Sequence, residues 1–266
     1  MRLAEPLAAS WKASLALGFT HRHGRSVLSQ REHEGPLVVQ KALYPEGESV
    51  CHAIVVHPPG GIAGGDELEL KCAVGAGAHA LLTTPGAAKW YRTAGPWAKQ
   101  RLRFEVDGML EWLPRETIVF DGARAELACS VELGEDARFI GWEILCLGRT
   151  GSGERFDRGQ LNLETRITRR QKPLWVERGS LEGGGRLMHS PAGLGGRTVF
   201  GTFAATSLDA LGQARSAVPD CVALTQLPGL LVGRYLGDSS EEALRLFTRL
   251  WQVLRPGAVE PRIWRT

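Results

Sequence analysis

HPPGGIAGGD, residues 57–66, is the stretch on which the reading of this chain turns. Two prolines are followed by two Gly-Gly pairs, and the carboxylate of Asp66 closes the run. Proline fixes φ and removes a backbone donor, while glycine permits φ > 0 and close backbone approach. The segment is thus neither helix nor ordinary strand. Pro58, Pro59, Gly60, Gly61, Gly64 and Gly65 make it a shaped loop. Both flanks read as strands: CHAIVV leads in, and beyond it Leu68, Leu70, Cys72 and Val74 alternate with polar or small residues. By itself the loop is either a tightly packed corner or a nest of backbone N–H groups for an anion.

Outward from the loop the period of two recurs. Trp11, Ala13, Leu15, Leu17 and Phe19 alternate on the N-terminal side. On the C-terminal side Leu102, Phe104 and Val106 do so, then Ala125, Leu127, Cys129, Val131 and Leu133, then Leu161, Leu163, Thr165 and Ile167. Such alternation is half-buried strand. Shorter strand patterns lie at SVLSQ, PLVVQKALY, HALLTT, PLWVERGSL, VFGTFAATS, VALTQL and LLVGRYLG, and MLEWLPRETIVFDG reads as two strands broken at Pro114. RFIGWEILCLG is continuously apolar, a strand buried on both faces or a buried helix segment. GAAKWYRT predicts one helical turn or a loop, and the glycines of residues 183–196 predict a mobile stretch.

One helix is clear over residues 239–255. Ser239-x-x-Glu242 is a capping box, Leu244, Phe247, Trp251 and Leu254 share a face, and Pro256-Gly257 stops it. A fainter helical pattern covers residues 208–217. No repeat of about 20–50 residues is visible. The expectation is a single mostly-β domain over residues 1–266, with many short strands in a helical, solenoid-like or distorted sandwich stack and about two α-helices in the C-terminal half.

Composition narrows the function. Glycine, 33 of 266 residues, is roughly an eighth of the chain against a usual share of about 7%, which favours many tight turns. The net charge of +3 comes from scattered basic residues, which argues against nucleic acid as a partner. Glu5 and Lys12 interrupt the apolar N-terminus, and no apolar run is long enough to span a membrane, so a cytoplasmic protein is expected. The five cysteines, Cys51, Cys72, Cys129, Cys146 and Cys221, are odd in number and form no C-x-x-C, so neither a disulfide framework nor a zinc site is indicated.

Catalytic motifs fail one by one. GAGAHA matches G-x-G-x-x-A but runs into strand-like LLTT with no acidic residue at the required spacing, and the central loop lacks the Gly-Lys-Ser/Thr of a P-loop. His21-x-His23, Cys51-His52 and His57 match no metal-site spacing, and there is no G-x-S-x-G elbow. The carboxylates say more. Glu111 in MLEWL, Glu143 in FIGWEILCLG and Glu177 in LWVERGSL are embedded among apolar residues, where an unpaired charge is costly. Glu111 and Glu177 also read as the water-facing acids of alternating strands. Glu143, apolar on both sides, asks for a partner, a water-filled cavity or a metal. A hydrolase using two such carboxyls in a cleft is the enzymatic alternative.

Taken together, GPLVVQKALYPEG, HPPGGIAGGDELEL, LLTTPGAAKWYRT, LEWLPRETIVFDGA, GWEILCLGRTGSGE and the C-terminal PRIWRT resemble, in order and over most of the chain, the urease accessory protein D family (UreD, or UreH). Residues 183–222 match only loosely, and Ala88 stands where many members have Thr or Ser. The resemblance implies a largely β fold of helically arranged strands with two helices, and a non-enzymatic role. It implies binding to UreF, recruitment of the GTPase UreG through UreF, dimerisation through UreF, and docking on urease apoprotein. It further implies transient passage of Ni(II) along a water-filled tunnel, with no tightly bound cofactor. On this basis Asp66, Glu143 and Glu177 are expected to line the passage, with Glu111, His57 and Thr84 as further candidates. Trp251, Pro261, Arg262, Ile263 and Trp264 are candidates for a partner interface, and the apolar face of the last helix meets either the chain's own core or UreF. A scaffold without a metal path is the remaining alternative.

Overall fold

The structure, a computed structural model, describes residues 10–93 and 95–265; Glu5 and Thr266 lie outside the described residues. In chain order the strands are β1 (Lys12–Arg22), β2 (Arg25–Glu34), β3 (Val38–Leu43), β4 (Cys51–Val56), β5 (Glu67–Val74), β6 (His79–Thr83), β7 (Ala88–Trp90), β8 (Ala98–Val106), β9 (Met109–Leu113) and β10 (Thr117–Val119). They continue with β11 (Arg124–Leu133), β12 (Arg138–Leu147), β13 (Gln160–Arg169), β14 (Lys172–Glu182), β15 (Val199–Thr206), β16 (Val222–Leu227) and β17 (Leu230–Gly237). The helices are α1 (Arg186–His189), α2 (Leu211–Ala217) and α3 (Ser240–Leu254).

The strands form two sheets. One has the order β14-β13-β11-β8-β5-β1-β2; the other runs β16-β17-β15-β12-β9-β6-β4-β3, with β10 and β7 branching from β12. From β5 to β13 the chain passes alternately between them, and neighbours within each sheet are parallel and in register, as in Leu70↔Leu102 and Leu81↔Glu111. The middle of the protein is therefore a helical winding, closed at one end by the β1–β2 and β3–β4 hairpins and at the other by antiparallel β14, β15, β17 and β16. This is the mostly-β, solenoid-like stack expected.

Side-chain alternation sorts the interior into two cores. Leu15, Leu70, Leu127, Phe139 and Leu145 fill the space between the sheets. Ile140, Trp142, Ile144 and Cys146 of β12 point the other way, to the layer made by α2 and α3. That is why β12 is apolar without a period: both of its faces are covered.

Ser239 caps α3 by accepting the Glu242 N–H at 3.1 Å. The Glu242 carboxylate takes the Tyr235 hydroxyl at 2.8 Å, so it serves the sheet below. The helix buries Ala243, Leu246, Phe247, Leu250 and Trp251, each large side chain contributing about 1.5–3 kcal/mol. The expected face is thus rotated: Phe247 and Trp251 are at its centre, while Leu244 and Leu254 only flank it. It meets the chain's own sheet, since Phe247 lies 5.8 Å from Phe203 and 6.3 Å from Trp142 between ring centres.

Three further expectations change. GAAKWYRT contains no helical turn: Ala88–Trp90 is a short strand held parallel to β10. The helix anticipated over residues 208–217 starts only at Leu211. The glycine-rich residues 183–196 are a set of hydrogen-bonded turns around α1, including Gly196 N–H to Met188 O at 2.8 Å. Among the described residues no helix is long and apolar enough to cross a membrane.

Candidate functional site: a polar belt inside the sandwich

A cavity of about 360 Å³ lies between the two sheets. Its lining runs from His57, Gly60 and Gly61 of the central loop and Thr84 beside it to Glu177 and Thr202 at the opposite end. The larger part of the wall is apolar, with Lys89, Gln100, Arg115 and Thr117 among the polar residues that also line it.

One polar belt crosses that wall, built by strand register. In the smaller sheet the cross-strand row is apolar at Leu70 and Leu102 on β5 and β8 and turns polar at Cys129, Thr165 and Glu177 on β11, β13 and β14. In the larger sheet Glu143, Thr202 and Arg234 are partners on β12, β15 and β17. The two rows meet: Thr202 Oγ1 reaches Glu177 Oε2 at 3.4 Å, and Arg234 Nη2 donates to Glu177 Oε1 at 2.7 Å.

Glu143 is the exceptional member. Among the described residues it has no hydrogen-bond or ion-pair partner. Burial, with the charge of Glu177 adding to it, pushes its carboxyl from 4.5 up to about 7. The Cys129 thiol is pushed far up by burial, with Glu143 contributing, and so stays protonated. His57 is held below its ordinary value by burial, against the pull of Asp66. Its Nε2, and the Nε1 of the lining residue Trp175, have no protein partner.

The remaining candidates are engaged elsewhere. Asp66 is buried and outside the lining; its carboxylate accepts the Trp11 and Ala63 backbone N–H groups, each at 2.7 Å, pinning the central loop to the residue that leads into β1. The loop is ordered by backbone bonds to residues 89–91, such as Ile62 N–H to Lys89 O at 2.7 Å. Gly61 permits this because a Cβ there would run into the Tyr91 ring, and Gly65 because its φ is +95°. Thr84 does line the cavity, but its hydroxyl is engaged: it donates to Gly86 O at 3.3 Å in the local turn and accepts the Arg115 N–H at 2.9 Å from across the sheet.

Glu111 faces away from the cavity because it sits one residue out of phase with Trp112 on β9. It is fully buried under α3, paired with His79 and Trp251 and with Arg255 Nε at 2.8 Å. Arg255 also pairs with Glu46, which in turn holds His52 at 2.6 Å. The C-terminal segment closes over this network: Trp264 Nε1 donates to Thr83 Oγ1 at 2.8 Å, and its ring packs against Trp142 and Trp251. Trp251 and Pro261 are buried, so of the interface candidates only Arg262 is exposed, with Ile263 and Trp264 half-buried.

Two members of the belt escaped the sequence. Arg234 gave no signal, because an Arg in an alternating strand is ordinary. Cys129 looked like a small hydrophobe, and only the register places it beside Glu143. Among the described residues no group of three or more His, Cys, Asp and Glu is arranged to hold a metal ion.

Comparison with known proteins bears on the whole chain. The family profile described as UreD urease accessory protein matches residues 12–265. A urease accessory protein UreD of Dechloromonas aromatica (strain RCB) is 51% identical, covering 97% of this chain and 95% of the relative. One of Azoarcus sp. (strain BH72) is also 51% identical, over 100% and 98%, and one of Janthinobacterium sp. (strain Marseille) is 49% identical, over 96% and 92%. With the winding of the strands, the loop at residues 57–66 and matches of this extent, the chain belongs to the UreD urease accessory protein family.

Proposed function

We propose that the chain is a non-enzymatic urease maturation factor. It binds UreF, through UreF the GTPase UreG, and the urease apoprotein, and it conducts Ni(II) through the inter-sheet cavity toward the urease active site. The observation that carries this reading is Glu143, a carboxyl without a protein partner facing a cavity in an apolar sandwich. A group of this kind costs stability where it stands, so a role other than packing accounts for it. A hydrated divalent cation compensates its charge and that of Glu177.

The other belt groups suit passage better than storage. A conducting path needs sites that bind weakly enough to release. Oxygen donors and a thiol kept protonated by burial hold Ni(II) less firmly than a thiolate cluster would. His57 Nε2 and Trp175 Nε1, lining the cavity without protein partners, call for water, and a hydrated ion needs such a lining. Asp66 and Glu111, both taken up by backbone or buried partners, are left out of the passage. The transfer rests mainly on oxygen donors, and no cofactor stays behind.

The test is Glu143→Lys in the full assembly with UreF, UreG and urease. The side chain is internal, so the complex forms, and the added cation lowers the nickel content and activity of the urease. Normal assembly with urease loaded as by the parent would replace the passage by a scaffold.

A further inference from the structure

We infer that Arg234 is a built-in competitor for the cation and gates the passage at its Glu177 end. The inference rests on the passage reading above and concerns control of that same site.

The geometry is a clasp across the open side of the sandwich. The smaller sheet ends at β14, while the larger one continues past β15 to β17 and β16. Arg234 spans this gap from β17: its Nη2 donates to Glu177 Oε1 at 2.7 Å, and its guanidinium lies 5.3 Å from the centre of the Trp175 ring. It therefore occupies a carboxylate oxygen that an ion in the cavity would use. Among the described residues no other cationic side chain pairs with Glu177 or Glu143.

Three properties make this contact a gate. A guanidinium does not deprotonate in a protein, so the positive charge that competes with the ion is always present. The pair is only partly buried, with side-chain exposures of 48% for Arg234 and 27% for Glu177, so it is screened and readily exchanged. A divalent ion brings twice the charge of the guanidinium to the same oxygen, whereas a monovalent one gains no Coulomb advantage. Displaced from Glu177, the guanidinium keeps the Trp175 face as a resting place and returns after the ion has gone. With Arg234 in place only Glu143 is uncompensated in the belt; with it displaced, two carboxyl groups face the ion.

The experiment is a double-mutant cycle on the full chain, titrating Ni(II) alone by calorimetry. Arg234→Gln is expected to tighten Ni(II) binding about twofold to fivefold, the span of a partly exposed ion pair. Glu177→Gln is expected to cost more affinity in that background than in the parent. Arg234→Lys, which keeps the charge but loses the planar fork and the ring stack, gives the same sign with smaller amplitude and serves if Gln weakens the fold. Unchanged or weaker binding in both Arg234 variants, or equal costs of Glu177→Gln in the two backgrounds, overturns the gate. Coupling in the cycle together with normal urease loading by Glu143→Lys would leave the competition intact and remove the passage. Blocked loading without coupling would remove the gate alone.

Discussion

Replacing Glu143 by Gln tests whether its carboxyl is held in a poorly hydrated site. Gln keeps the shape and removes the titration. In the parent, burial and Glu177 raise the carboxyl from 4.5 to about 7. Between those values the folded protein holds a proton that the unfolded chain releases, so stability falls as pH rises through the window; the penalty is absent below it and complete above it. The gap corresponds to about 3 kcal/mol as an upper limit, and water in the cavity reduces it to about 1–3 kcal/mol. Urea denaturation of parent and Glu143→Gln is therefore expected to give near-equal stabilities at about pH 4 and a variant more stable by about 1–3 kcal/mol at about pH 8. A difference of the same size at both pH values, or a variant less stable at both, would refute the desolvated-carboxyl argument and the case for Glu143 as a functional group.

Other outcomes follow from the packing. Glu111→Ala strands Arg255, His79 and Trp251 without their shared acceptor. It is expected to cost about 3–5 kcal/mol, or roughly 6–15 °C in Tm by calorimetry, and a loss under about 2 °C would contradict the network. Gly61→Ala drives a Cβ into the Tyr91 ring and is expected to cost about 1–3 kcal/mol, partly restored by adding Tyr91→Ala; no restoration would place the strain elsewhere. Trp264→Ala is expected to cost about 2–3 kcal/mol through the lost contacts with Trp142, Trp251 and Thr83. Deleting residues 261–266 should also weaken capture of UreF in a pull-down, and undiminished capture would assign the tail to the chain's own core alone.

The sequence by itself determined the local structure. Alternating Leu, Val and Phe wrote the strands, Ser239 and Pro256 bounded the last helix, and the Pro-Pro and Gly-Gly run marked a loop whose order depends on the missing Cβ of Gly61. These are properties of neighbours along the chain, and a period of two or 3.6 reports them directly. The solenoid-like winding was anticipated as a class, but its pairing was not legible, because parallel register is set between strands tens of residues apart and no repeated motif records it.

The site shows the same limit more sharply. Glu111 and Glu143 look alike in sequence, each an acid in an apolar strand, yet one turns to the helical layer and its Arg255 while the other turns to the cavity. Only the phase of each strand against the two sheets separates them. Asp66 closed the loop as read, but what its carboxylate does was decided by Trp11 across 55 residues. The ion pair of Glu177 with Arg234 joins residues 57 apart. A charge meets its partner through the fold, and it is the approach of the two sheet edges that turns an ordinary surface arginine into part of the belt.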